Sequence, residues 1–221
     1  MKRPHIHREG RNIIIGLVLL LFIVNLLTFL HLPHWIFAVT LVIAALLLVF
    51  VTYFFRNPVR VLEIDDPNFI IAPADGRVVV IEPTTENEYF HEERLQVSIF
   101  MSPFNVHANW YPIEGEVLVS EHQKGRHKGA WLPKSSTENE RSLVVIETPN
   151  KVQIALRQVA GAMARRIVTY AKPGQRALRN HHLGFIKLGS RVDLYLPLDT
   201  EMFVQVGDSV RGNETIIGRL N

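Results

Sequence analysis

The chain has 221 residues, 48% of them hydrophobic, 20% charged and none of them Cys. That is enough for one sizeable core plus an appendage, and it excludes disulfides, thiol nucleophiles and Cys-ligated zinc. The formal charge of +3 is unevenly placed. Residues 1–56 carry Lys2, Arg3, Arg8, Arg11 and Arg56 against Glu9 alone, while the remainder holds 19 basic and 20 acidic residues. A near-neutral main domain argues against a nucleic-acid partner, and the basic excess belongs with the apolar segments beside it.

Ile13 to Leu30 is apolar except for Gly16, Asn25 and Thr28, and Trp35 to Phe55 is apolar except for Thr40, Thr52 and Tyr53. Each run is long enough to cross a ~30 Å hydrocarbon layer as a helix. The link His31-Leu32-Pro33-His34 is short, so 1–56 reads as a helical hairpin anchor, about 13–30 and 35–55. Lys2, Arg3, Arg8 and Arg11 flank one outer end and Arg56 and Arg60 the other, while the link has no Lys or Arg, so both termini are expected in the cytoplasm. A spanning hairpin and a shallow one in a single leaflet both satisfy the pattern. A cleaved signal peptide does not, because the second apolar run follows at once.

Residues 57–221 read as a second domain. Pro58 ends the hairpin. Ile70 to Ile81 encloses Pro73-Ala74-Asp75-Gly76, a turn signal ahead of a Val-rich strand. Glu82 to Arg94 is polar and acidic and is expected as a loop, and Leu95 to Met101 as a strand. Ser102 to Pro112 is dense in turn formers and contains His107. Asp75 alone reads as a turn former and His107 as a turn cap. Strands are expected over Ile113–Ser120, Leu143–Glu147 and Val152–Val159, with a short helix or strand at Ile167–Tyr170. His122 to Lys134 is basic and reads either as a solvated loop or as a lid over anionic headgroups. Gly184 to Pro197 runs apolar, breaks at Gly189-Ser190 and resumes with Val192, Leu194 and Leu196 on one face and Asp193 and Tyr195 on the other. A Gly there usually marks a bulge. The glycine-spaced end of the chain suits tight β turns. The fold class expected is mainly β (α+β), a compact sandwich or barrel-like domain behind a hydrophobic helical hairpin.

Pro73-Ala74-Asp75-Gly76, Phe100-Met101-Ser102-Pro103 to His107, and Phe185-Ile186-Lys187-Leu188-Gly189-Ser190 occur in this order. Glu138-Asn139-Glu140-Arg141, and Gly207-Asp208 with Gly212 and Gly218, accompany them. With these pieces, residues 55–221 resemble the phosphatidylserine decarboxylases, specifically the short membrane-associated type of bacteria and archaea.

The resemblance implies a self-processing lyase that converts phosphatidylserine to phosphatidylethanolamine and CO2 in phospholipid biosynthesis at the cell membrane, with the catalytic domain on the cytoplasmic side. It implies cleavage between Gly189 and Ser190 into chains 1–189 and 190–221, which stay associated. Ser190 becomes a covalent pyruvoyl group that forms a Schiff base with the substrate amine, in place of pyridoxal phosphate and without a metal. His107 is implied as the base, and Asp75 as the residue orienting its imidazole. The chemistry suits these types: Gly189 lets the nucleophile approach closely, and Ser190 offers a β-leaving oxygen. Longer members carry a second His where this chain has Trp110. Either His107 serves both self-cleavage and decarboxylation, or another His such as His122 or His182 contributes. A homo-oligomer is compatible with all of this.

Two other classes stay open at this point. One is a non-catalytic lipoyl-like adaptor on a membrane hairpin, though the usual modified Lys between two Met is missing. The other is a β-sandwich metallopeptidase, whose only His-x-His pair would be His5 and His7, before the membrane segment.

Overall fold

A computed structural model describes residues 5–125, 139–161, 166–187 and 190–221. The chain divides into two compact units, one ending at Val59 and the other spanning Arg60–Asn221.

In the first unit β1 (His5–Ile6) leads into α1 (Arg8–His31), and α2 (His34–Phe54) leads into β2 (Arg56–Asn57). β1 and β2 pair antiparallel, closing the base of the hairpin. Both helices are long and apolar enough to cross a membrane. Their polar interruptions meet one another: Thr40 Oγ1 donates to Asn25 Oδ1 at 3.2 Å and lies 3.2 Å from Thr28 Oγ1. Such contacts between small polar side chains hold apolar helices together where hydrophobic burial cannot. Trp35 and Tyr53 are exposed at the helix ends, where amphipathic rings suit a membrane interface.

Among the described residues the second unit is almost entirely β. Its strands are β3 (Phe69–Ile71), β4 (Gly76–Glu86), β5 (Glu92–Met101), β6 (Ala108–Trp110), β7 (Gly115–Gln123), β8 (Arg141–Glu147) and β9 (Gln153–Ala160). They continue with β10 (Arg166–Thr169), β11 (Arg176–Ala177), β12 (His182–Lys187), β13 (Ser190–Leu196), β14 (Glu201–Met202), β15 (Ser209–Val210) and β16 (Ile216–Arg219). Eight strands form one curled half-barrel sheet in the order β11-β7-β8-β9-β13-β5-β4-β15. Two three-stranded sheets, β10-β12-β6 and β14-β16-β3, complete the unit. The mainly β expectation holds.

Period-2 patterning builds the core. Val97, Ile99 and Met101 of β5, Val144 and Ile146 of β8, Ile154, Leu156 and Ala160 of β9, and Val192, Leu194 and Leu196 of β13 point into one apolar cluster. Tyr195 belongs to a second cluster, with Leu143, Val145 and Ala155. β13 is therefore buried on both faces, and its polar members need partners: Arg191 Nε lies 2.8 Å from Asp193 Oδ1, and Arg157 donates to the Tyr195 hydroxyl.

One expectation is corrected. Glu82–Arg94 is not a loop: β4 continues to Glu86, β5 starts at Glu92, and the turn is confined to 87–91. The reason is Glu86, a buried acid that ends the strand. Its carboxylate accepts the N–H groups of Glu88, Tyr89 and Phe90 and pairs with Arg157 at 2.7 Å. The Ile167–Tyr170 ambiguity resolves as strand β10. His122 and Gln123 belong to β7, while the rest of the basic stretch from Arg126 to Lys134 lies outside the described residues.

Candidate active site

Ser190 is the first residue of β13, the strand between β9 and β5. Its backbone is in register with Met101 on one side and Ala160 on the other. The residue is 0% exposed, and its hydroxyl donates to Met101 Sδ at 3.3 Å. A thioether is a weak acceptor, so this hydroxyl is held without being strongly engaged. The chain leaves the small sheet at Lys187 and enters the large one at Ser190. Gly189, the other member of the expected cleavage bond, and the bulge expected around it lie outside the described residues.

The Ala160 side of Ser190 is fastened by the Asn139-Glu140 pair. Asn139 Nδ2 donates to the Ala160 carbonyl at 2.7 Å, and Ala160 N–H donates to the Glu140 carbonyl at 2.9 Å. Glu140 Oε1 takes the Ile167 N–H at 3.2 Å, which ties in β10. These contacts give the motif a structural task beside the reactive strand.

His107 is in the connection from β5 to β6. Asn105 closes the turn before it, its side-chain oxygen accepting the Ser102 N–H at 2.9 Å and hydroxyl at 2.7 Å. The imidazole Nδ1 lies 3.0 Å from the Asn105 carbonyl. A carbonyl can only accept, so Nδ1 carries a proton, and in the neutral imidazole that leaves Nε2 with the lone pair that can take one. The His107 carbonyl accepts the Ile186 N–H at 3.2 Å, which docks the residue on β12 four positions before Ser190.

Asp75 follows β3, just before β4. Its carboxylate is held by the Arg60 guanidinium through both nitrogens, by Gly212 N–H at 2.9 Å and by Val106 N–H at 3.4 Å. The expected contact between Asp75 and the imidazole takes another form: the carboxylate is on Arg60 and reaches His107 through the backbone of its neighbour Val106. Arg60 also donates to the Gly212 carbonyl at 2.8 Å and lies 3.1 Å from Glu214. Sequence reasoning placed Arg60 only among the flanking cations. A buried carboxylate needing a cation was the signal, but a separation of 15 positions hid the partner.

Trp110, at the position of the second His of longer members, is a buried packing residue. The Arg60 guanidinium lies 5.3 Å from its ring centre and His182 meets it edge-on at 5.1 Å. His122 is on the surface 3.4 Å from Glu140. Three buried polar residues escaped the sequence reading altogether: Asn109, Ser142 and Gln158, all 0% exposed. Among the described residues no group of three or more His, Asp or Glu side chains is arranged to hold a metal ion.

Ser190 thus opens a central strand with a buried hydroxyl, and His107 is docked by its backbone on the strand that precedes it. The family model described as phosphatidylserine decarboxylase matches residues 47–218. A protein of Bacteroides fragilis named phosphatidylserine decarboxylase proenzyme is 51% identical over 100% of this chain and 97% of its own length. Proteins of the same name from Phocaeicola vulgatus (52%, covering 100% and 97%) and Cytophaga hutchinsonii (47%, covering 96% and 97%) are similarly alike. The chain belongs to the phosphatidylserine decarboxylase family. Family membership makes it an enzyme whose relatives are named as proenzymes, and the adaptor alternative is not favoured.

Proposed function

We propose that this protein decarboxylates phosphatidylserine to phosphatidylethanolamine and CO2, using a pyruvoyl group that it makes from Ser190. The observation that carries the reading is the buried Ser190 hydroxyl at the head of β13, in a chain whose relatives are named as proenzymes. Ser190 Oγ adds to the Gly189 carbonyl while His107 Nε2 accepts its proton, and the C–N bond breaks to leave an ester. A well-placed base contributes about 10²–10⁴ in rate. Removal of the Ser190 α-proton then expels the Gly189 carboxylate by β-elimination. The dehydroalanine left behind tautomerises to an imine, and water replaces its nitrogen, releasing ammonia and leaving the keto group.

The residues present fit that group. The strand start is buried, and the Met101 sulfur packs on it without competing for the carbonyl. When formed, the keto group supplies the electron sink for loss of CO2 from an amino-acid headgroup. Asp75 and Arg60 hold the Val106–His107 segment and the Gly212 loop in place. The apolar hairpin keeps the enzyme in the membrane with its substrate, and the flanking Arg8, Arg11 and Arg56 favour a cytoplasmic catalytic unit.

The test is CO2 and phosphatidylethanolamine formation from vesicles containing phosphatidylserine. The full-length protein in detergent is expected to produce both, and Ser190→Ala neither. Undiminished product from Ser190→Ala contradicts the reading.

A further inference from the structure

The apolar inner face of the large sheet turns polar at the end where Ser190 lies. The inward series ends in Ser190 after Leu194 and Val192 on β13, and in Ser142 after Ile146 and Val144 on β8. On β9 it passes Ile154 and Leu156 to Gln158. The Gln158 Oε1 accepts the hydroxyls of Ser142 and Thr169, each at 2.8 Å. Its Nε2 donates to Asn109 Oδ1 at 2.7 Å. Asn109 Nδ2 in turn points at Met101 Sδ at 3.8 Å, the sulfur that also receives the Ser190 hydroxyl.

The series has one direction. Reversing the Gln158 amide would reverse Asn109 and set its carbonyl against a sulfur that has no proton to give. The fold makes room for Gln158 with Gly184, where an added Cβ would lie 2.7 Å from Gln158 Nε2 and 2.4 Å from the Val168 carbonyl. Buried amide donors normally find an oxygen. Here the Asn109 donor rests on a poor acceptor shared with the nucleophile, ready for a better one.

We propose that Asn109 donates a hydrogen bond to the oxyanion formed when Ser190 Oγ adds to the Gly189 carbonyl, with Gln158 as its positioning residue. This rests on the self-cleavage reading of Ser190. In the step the Oγ–C bond forms, the carbonyl π pair moves onto oxygen and the hydroxyl proton goes to His107. The Asn109 N–H leaves sulfur for that oxygen. On collapse the oxygen pair returns, the C–N bond breaks and the nitrogen takes the proton. A preorganised donor of this kind is worth about 10²–10³ in rate.

The experiment follows precursor conversion of the full chain, made by cell-free synthesis in detergent, on denaturing gels. Asn109→Asp is expected to slow conversion about 100-fold or more. Its rate relative to the unsubstituted chain should recover as the pH is lowered and the carboxyl regains a proton to donate. Gln158→Glu, which cannot donate to Asn109 Oδ1 when ionised, should show the same acid recovery. Hydroxylamine, which cuts esters, should not cut the Asn109→Asp precursor, because the block precedes the ester. Trp fluorescence reports folding, and Asn109→Leu, apolar and similar in size, carries the test if the Asp chain does not fold. Conversion of Asn109→Asp or Asn109→Leu at the unsubstituted rate overturns the proposal. So does a slowdown that ignores pH in both acidic variants, or hydroxylamine cutting. An unsubstituted chain that never converts overturns the self-cleavage reading itself, a separate failure.

Discussion

Arg60 and Asp75 form a two-pronged buried ion pair, and the same carboxylate binds the N–H groups of Val106 and Gly212. Those two residues lie on opposite sides of the proposed cut, so one acid ties the base-bearing loop to the segment that becomes the small chain.

Removing half of this pair leaves a charge buried without its partner. Asp75→Asn is expected to destabilise the catalytic unit by about 3–5 kcal/mol, the usual cost of breaking a buried pair. Arg60→Lys should recover little in stability, because an ammonium does not reproduce the two-pronged contact. Chemical denaturation reads both. A change below 1 kcal/mol for Asp75→Asn would show that the pair does not hold the site together.

In the proposed self-cleavage His107 Nε2 is the base. His107→Ala should therefore slow precursor conversion by about 10²–10⁴. His182→Ala and His122→Ala should convert at nearly the normal rate, since one packs on Trp110 and the other sits at the surface beside Glu140. Gel time courses of the three variants check this. Normal conversion of His107→Ala removes it as the base.

Stability should fall at both pH extremes for identifiable reasons. Burial pushes Glu86 up, but the N–H groups of Phe90, Tyr89 and Glu88 and the Arg157 guanidinium outweigh it and hold the carboxyl below the usual value of 4.5. A lowered folded value gives stability that is present above that usual value and lost as the pH falls through the folded one. Burial, aided by Asp193, pushes the Tyr195 phenol above its usual 10.0. Its contribution is complete below 10 and is lost as the pH rises through the folded value. Melting temperatures across pH are expected to show both losses, with Glu86→Gln flattening the acid one. An unchanged acid limb in Glu86→Gln would contradict this assignment.

After cutting, the two chains should stay together without a covalent link. β13 remains between β9 and β5, β15 pairs with β4 and β16 with β3, while Arg157 holds Tyr195 and Asn213 Nδ2 donates to the Arg60 carbonyl at 3.0 Å. Both fragments are expected to co-purify in mild detergent and to separate only in denaturant. Loss of the small chain on gel filtration would count against it.

Much of this was legible in the sequence where periodicity and local chemistry agree. The two apolar runs became α1 and α2, and the alternation of Val192, Leu194 and Leu196 against Asp193 and Tyr195 matched the two faces of β13. The hidden parts depend on long-range pairing. Glu86 looked like a loop acid because its partner Arg157 is 71 residues away. Arg60 looked like a membrane-flanking cation because Asp75 was not visible as its counter-ion. Asn109, Ser142 and Gln158 carry no local signature, since an interior amide is informative only once the fold shows which donors and acceptors surround it.

The central claim is that Ser190 is nucleophile, leaving group and source of the reactive carbonyl in turn. Intact mass of the purified, active protein tests it most directly. The account expects two chains, the smaller spanning Ser190–Asn221 at roughly 3.7 kDa by its share of the 25.3 kDa chain, with a keto group in place of its terminal amine. A single uncut chain with full decarboxylase activity would contradict it.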